Sequence, residues 1–302
     1  MTEGLTLSST SSLSDMSAIV IADAIANVEP SGPTASLVTR YEIGKGQKQI
    51  NLPLWGRLTA SALTEGVTVN NAQQMSVTVR NLTATEHGIL SFVSYKLTQQ
   101  NNEDVLSEVG KMQGMALGRL RESDLVTLFD SVTGLSIPGA GVVGGFRQLG
   151  GVAAYLKTDN NTAFGPVPPG QIVGVFHPEH IRRFWEDDTG MQAGGSVTMD
   201  AGARPAGPSN EVLDNYWRGR EKKAGVQIFE SGVISRDGSG DAKGAVFHKQ
   251  AFALAMAKEI DAEDDKDIRS RGWDIVTVAE WGESEVVDEW AAEWYAAADV
   301  IA

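Results

Sequence analysis

Residues 44–80 read GKGQKQINLPLWGRLTASALTEGVTVNNAQQMSVTVR, and the shape of the molecule turns on them. Ile50, Leu52 and Leu54 alternate with other residues, as a half-buried strand requires. Pro53 removes one ladder donor and moves that strand to a sheet edge. Met75, Val77 and Val79 alternate again, against Ser76, Thr78 and Arg80. Between them, residues 55–74 are small, polar and glycine-containing, the composition of a loop tip. The stretch therefore predicts a long two-stranded hairpin that returns to a central sheet through a more apolar strand at 89–97. An isolated two-stranded ribbon is marginal in water. This one is too thinly apolar to bury itself, so it needs a surface to lie on. That is the pattern of a subunit completed by its neighbours.

The next segment predicts one long helix over about 102–130, with Asn101 or Asn102 as cap and Glu103 and Asp104 in its first turn. Val105, Val109, Met112, Ala116 and Leu120 form a stripe at spacings of three and four. Gly110, Gly114 and Gly118 lie four apart on one side. Each costs roughly 1 kcal/mol relative to alanine. They imply either close approach of another backbone or incidental glycines on a solvated face.

The chain has 302 residues, enough for one large domain or two. Its composition, 42% hydrophobic and 21% charged, is that of a globular protein with a sizeable core. The net charge of −14 argues against general phosphate binding, which needs a basic face. There is no cysteine, which excludes disulfides, cysteine nucleophiles and thiolate metal sites and fits a reducing compartment. Residues 1–15 have no basic residue and no apolar run, so they do not read as a secretory signal, and no run of ~20 apolar residues predicts a membrane span.

Charge is unevenly placed. Residues 44–100 hold Lys45, Lys48, Arg57, Arg80 and Lys96 against Glu65 and Glu86, a net of +3. Residues 257–302 hold fourteen Asp or Glu and four Lys or Arg, a net of −10. The two segments are either solvated faces or two sides of a subunit boundary.

Elsewhere, residues 1–15 read as an extended arm, 16–28 as a short helix (Ile19, Ala22, Ala26), and 29–34 as a break containing Pro30, Gly32 and Pro33. Residues 133–151 read as an irregular glycine-rich connector. Residues 172–176 form a buried strand, and His177-Pro178 opens a helix to about Trp185. Residues 190–208 read as a surface loop. Strands follow at 226–229 and 232–234. Residues 245–257 are apolar and of ambiguous type. A strand at 275–278 turns at 282–284 to meet 286–287. Helices and strands mix without regular βαβ alternation, so the class is α+β.

Four motifs invite chemistry. Gly139-Ala-Gly-Val-Val-Gly144 matches G-x-G-x-x-G, which marks a nucleotide site only between a strand and a helix. Here Ser136-Ile-Pro138 before it and the glycines after it favour a flexible connector. His177 and His180 have the spacing of a metal pair but straddle a helix start, favouring a capping histidine and a surface histidine. Asp237-Gly-Ser-Gly-Asp241 lacks the glycine and the bidentate glutamate of a calcium loop and reads as a turn. Arg218, Arg220, Lys222 and Lys223 read as a solvated helix or as a contact for carboxylates or nucleic acid. No catalytic, cofactor-binding or metal residue is assigned.

The order of parts resembles the major capsid protein of tailed bacteriophages, the Hong Kong ninety-seven type capsid fold. The likeness runs from about Ser14 onward. It is carried by residues 46–54 entering the hairpin, Leu120-Arg-Glu-Ser-Asp-Leu125 closing the helix, 170–185 with its strand and His177-Pro178 helix, Ala224-Gly-Val-Gln-Ile228, and 275–290. The resemblance implies an N-terminal arm (1–40), an extended loop built as a β-hairpin (41–96), a peripheral domain with a spine helix (97–131), an axial domain (132–263) and a returning peripheral segment (264–302). It also implies pentamers and hexamers, an icosahedral virion shell assembled in the host bacterial cytoplasm, and packaged double-stranded DNA held without sequence-specific binding. A separate scaffolding protein, a portal and a decoration protein are the further partners implied; a large N-terminal scaffolding segment is not seen, and no cofactor or membrane is expected. In that fold such loops lie across a neighbour, which makes Lys45, Lys48, Trp55, Arg57 and Arg80 the expected intersubunit contacts. The alternatives are an enzyme with a nucleotide-binding loop at Gly139–Gly144 and the His177/His180 pair, and a β-rich binding module.

Overall fold

The structure is a computed structural model that describes residues 32–66, 68, 72–100, 105–159, 163–189, 222–223 and 225–298. The expected arm at 1–15, the helix at 16–28, the caps Asn101 and Asn102, the loop at 190–208, and Arg218 and Arg220 lie outside the described residues.

A short helix α1 (Thr34–Leu37) precedes strand β1 (Thr39–Glu42). The hairpin follows as β2 (Gln49–Trp55) and β3 (Val77–Thr83), then β4 (Thr85–Ser94) and helices α2 (Tyr95–Gln100) and α3 (Val105–Thr127). Next come β5 (Ser136–Pro138), α4 (Phe146–Lys157), β6 (Ile172–Phe176), α5 (Pro178–Thr189), β7 (Lys222–Lys223) and β8 (Val226–Glu230). The chain continues through β9 (Asp241–His248), β10 (Phe252–Asp267), β11 (Gly272–Glu285) and β12 (Ala291–Ala297). The class is α+β, as expected.

Two sheets organise these elements. One has the order β1-β10-β11-β4 and is covered by α3; the other has the order β5-β12-β9-β6-β8-β7 and carries α4 and α5. A shared apolar core joins them, with Leu117, Leu125 and Trp281 on the first side and Val175 and Phe247 on the second. Phe129 packs between Phe247 and Phe252, with ring centroids 5.8 Å from each. Each fully buried side chain of this size contributes roughly 1.5–3 kcal/mol. Strand β12 pairs with β9, so the C-terminal strand belongs to the six-stranded sheet, and the boundary drawn at 264 falls within β10.

Helix α3 is 23 residues long and passes into a 3₁₀ turn at Leu128–Ser131. Its buried residues are Gln113, Leu117, Glu122 and Leu125, whereas Met112 and Leu120 of the expected stripe are exposed. The stripe is displaced because two polar residues hold buried positions and satisfy their own hydrogen bonds. Gln113 donates to the Ile275 carbonyl at 3.2 Å and accepts from the Thr277 hydroxyl at 2.6 Å.

Further differences have local causes. Residues 282–284 are not a turn: β11 runs straight through them for 14 residues. Gly282 is there for the space it leaves, since a Cβ would stand 2.0 Å from the Thr83 carbonyl oxygen. The ambiguous 245–257 stretch is two strands, β9 and β10, joined by a turn in which Ala251 N–H donates to the His248 carbonyl at 2.8 Å. The strand expected at 89–97 ends at Ser94, because α2 takes Tyr95. Residues 232–233 form a turn rather than a strand. The connector at 133–151 is more regular than expected: β5 pairs with β12, and α4 opens at Gly145, whose N–H donates to the Gln148 side chain at 3.1 Å. Lys222 and Lys223 form β7 rather than a helix.

Candidate intersubunit surface

The hairpin forms a two-stranded sheet of its own, as the alternation at 50–54 and 75–79 predicts. Opposite residues in an antiparallel pair share a face, so register sorts the side chains. Ile50↔Leu82, Leu52↔Arg80 and Leu54↔Thr78 share one face. Leu82 is buried, and Ile50, Leu52 and Leu54 pack with Tyr41, Phe164 and Trp290 against the body of the subunit.

The opposite face is different. Trp55↔Val77 and Pro53↔Val79 are direct cross-strand pairs, followed by Asn51↔Asn81 and Gln49↔Thr83. No charged residue lies on that face. Trp55 is 59% exposed, Val77 44% and Val79 52%, and Met75 and Leu58 beside them are also exposed. The period-two pattern at 75–79 thus marks an apolar row turned away from the subunit's own core.

The base is pinned by charge. Arg57 forms a two-pronged ion pair with Asp159, at 2.7 and 2.8 Å, and its N–H donates to the Ala163 carbonyl at 3.1 Å. Gly165, at φ +78, leaves room for the Arg57 side chain, whose Cδ would stand 3.0 Å from a Cβ there. The Glu289 carboxylate accepts the N–H groups of Ala163 and Phe164, both at 3.0 Å, and Trp290 donates to the Gly165 carbonyl at 3.1 Å. Arg80, on the inward face, acts on Glu285. Burial and the neighbouring Asp288 raise that carboxyl's pKa, while Ser131 and then Arg80 pull it back. Lys45 and Lys48 are exposed in the turn between β1 and β2 and have no ion pair among the described residues. The structure therefore separates the five expected contact residues. Trp55 sits on the free face, Arg57 is engaged within the chain, Arg80 lies on the inward face, and Lys45 and Lys48 lie to one side. Register was the missing information, and sequence spacing alone does not supply it.

The remaining motifs are structural. Gly139–Gly144 does stand between a strand and a helix, contrary to expectation, yet the position an anion would take is filled. The Asp241 carboxylate accepts the Gly141 N–H with both oxygens at 3.0 Å, and a Cβ at Gly144 would meet the Trp294 ring at 2.3 Å. A phosphate would confront that carboxylate. Asp237 closes the turn ahead of β9, accepting from the N–H groups of Ser239 and Asp241 and from the Tyr295 hydroxyl at 2.7 Å. His177 caps α5, its Nδ1 accepting the Glu179 N–H at 3.1 Å. His180 is not a surface residue: it is 1% exposed, with Nε2 3.1 Å from the Ala296 carbonyl oxygen. Burial lowers its pKa to about 4. Among the described residues no group of three or more His, Asp or Glu side chains is placed to hold a metal ion, and no helix is long and apolar enough to cross a membrane.

No family model matches the chain, and no curated protein matches it in sequence. Solved structures do match in fold. The capsid of the cyanophage P-SCSP1u aligns with a TM-score of 0.65 and 16% identity, over 93% of this chain and 93% of that one. The acidic stable capsid of Helicobacter pylori bacteriophage KHP30 aligns with a TM-score of 0.71 and 9% identity, over 99% and 100%. The holo-SrpI encapsulin complex from Synechococcus elongatus PCC 7942 aligns with a TM-score of 0.62 and 12% identity, over 96% and 95%. The chain has the fold of tailed-phage capsid proteins along nearly its whole length.

Proposed function

We propose that this chain is the major capsid protein of a tailed bacteriophage, assembling as pentamers and hexamers into the icosahedral head around double-stranded DNA. The observation that carries the reading is the end-to-end likeness to capsid subunits in a chain whose hairpin keeps an apolar face outside its own core. On this reading the arm, extended loop, peripheral and axial parts divide near residues 40, 96, 131 and 263, and residues 291–297 join the axial sheet. The apolar hairpin face, with Trp55 at its centre, seats on a neighbouring copy. Arg57 holds the hairpin at the angle that presents it. Lys45 and Lys48 meet a neighbour's carboxylates. The acidic charge fits DNA held by confinement rather than by neutralisation. A scaffolding protein, a portal and a decoration protein are the partners such a shell would use, and assembly would take place in the bacterial cytoplasm.

The test is electron microscopy of the purified chain, expressed with any scaffolding partner it needs. Closed particles tens of nanometres across, on the order of the size of phage heads, are expected. A monomer under all such conditions would overturn the proposal. The likeness to the SrpI complex favours a second reading, the shell of an encapsulin. Nuclease-protected double-stranded DNA inside particles made in phage-infected cells separates the two: its presence supports the head, and its absence the encapsulin.

A further inference from the structure

Glu122 on α3 is buried, and the hydrogen bonds that satisfy it come from neutral donors. The Thr34 N–H donates to Oε2 at 3.1 Å and reaches Oε1 at 3.3 Å. The hydroxyls of Thr34 and Ser231 both donate to Oε1, the second at 3.1 Å. Thr34 and Ser231 are themselves buried. They stand 88 and 109 positions from Glu122 in sequence, so three distant segments meet on one carboxylate.

Each segment belongs to a different part of the subunit. Thr34 opens α1 and leads into β1, which pairs with the start of β10. Helix α3 is fixed to the four-stranded sheet through Gln113, bonded to Ile275 and Thr277. Ser231 follows β8, and its N–H donates to the Phe176 carbonyl at the end of β6 at 3.0 Å, which fixes it to the six-stranded sheet. Gly32 closes the site. A Cβ there would stand 2.0 Å from Glu122 Oε1 and 2.5 Å from Ser231 Oγ, so the entering chain lies directly over both. Farther back along the same side of α3, nothing among the described residues comes within 4 Å of a Cβ built at Gly110, Gly114 or Gly118.

A buried carboxylate has given up its water, so losing one donor leaves a charge that the remaining donors do not satisfy. Hydrogen bonds between separate neutral groups can fail one at a time. Bonds that share a buried anion fail together, because the anion regains water only when its cover lifts. Here the cover is the chain at Gly32, and the donors on either side of Oε1 come from the chain entry and from the six-stranded sheet.

We propose that Glu122 is a latch, which makes the seating of the chain entry at residues 32–37 and the docking of the six-stranded sheet against α3 one two-state event. Lifting the entry uncovers Glu122, frees the Ser231 hydroxyl and loosens the ends of β6 and β8. Loosening those ends releases the entry in return. The latch lies within one subunit and does not depend on shell formation.

Hydrogen exchange of the full chain, read by mass spectrometry, tests the latch, since exchange reports local opening segment by segment. Thr34→Val keeps the shape of the side chain and removes its hydroxyl. It should speed exchange roughly fivefold or more at residues 226–232 as well as at 33–38. Ser231→Ala should speed exchange at 33–38 in return, since coupling between two sites is reciprocal. Thr34→Ser, which keeps the hydroxyl, should leave 226–232 at the unaltered rate. Residues 272–281 of β11 are the control and should not change in any variant. Acceleration confined to the segment that carries the substitution would overturn the proposal. So would loss of protection that extends to 272–281, which would make the contact a part of the general core rather than a latch.

Discussion

His180 sits against the Ala296 carbonyl in the core beneath α5, and burial, ahead of every other influence, keeps its pKa at about 4. The backbone bond to Ala296 and the Glu179 carboxylate raise the pKa, and His177 lowers it further. In the unfolded chain the group titrates near 6.5. As pH falls below 6.5 the unfolded chain takes up a proton that the folded chain refuses. Stability therefore falls from about pH 6.5 to about pH 4 and then levels off, a total of roughly 3 kcal/mol from this group. His180→Leu should flatten the slope of stability against pH over that window in denaturant titrations. An unchanged slope would assign the effect elsewhere. Gly282 offers a second residue-level test. Gly282→Ala puts a methyl against the Thr83 carbonyl oxygen, a backbone atom that cannot move aside cheaply. A destabilisation of about 1–3 kcal/mol is expected, measured as a lowered denaturation midpoint with unchanged m-value. The sequence shows the glycine but not its purpose. The same residue serves turns through conformational freedom and strands through its missing side chain, which is why 282–284 reads as a turn and folds as part of β11.

At the scale of elements, the hairpin was legible and its orientation was not. Alternation at Ile50, Leu52 and Leu54, with Pro53 among them, states strand, edge and pairing. The buried β6 was equally legible, since five consecutive buried apolar residues precede a proline-started helix. Which face of β3 turns outward depends on pairing register, and a shift of one residue reverses it. The stripe of α3 was misread because Gln113 and Glu122 are buried through hydrogen bonding, which hydrophobic spacing does not register. The outward row makes its own prediction. Trp55→Ser with Val77→Ser removes apolar area that the subunit does not bury, so the subunit's melting temperature should hold within about ±0.5 kcal/mol equivalent. Particle yield should collapse. A variant that unfolds instead would place that row in the subunit's own core.

For the whole molecule, the distribution of charge matters more than its sum of −14. Arg57 is spent on Asp159 and the field of Arg80 acts on Glu285, so Lys45 and Lys48 are the cations of the turn between β1 and β2 left to meet a neighbour. An exposed ion pair contributes only ~0–1 kcal/mol, so single changes there should be nearly silent. Lys45→Glu with Lys48→Glu should slow assembly, because complementary charge acts mainly on encounter. The effect should fade as salt shortens the ~10 Å screening length. Assembly by the double variant at the unaltered rate in low salt would show that these lysines only solvate the turn.

The acidic run from Asp261 to Asp267 lies on β10, whose partner β1 covers only residues 253–256 on that side. Beyond Met256 no strand among the described residues pairs with that edge, and the side chains along it are exposed carboxylates. An open strand edge is a template on which further chains add without limit, and charge along it is one of the ways proteins block such growth. On the proposed function, the subunit is made in many copies and waits in solution before it finds its place. Repulsion between these edges would then keep waiting chains from stacking into fibres, leaving closure as the favoured outcome of crowding.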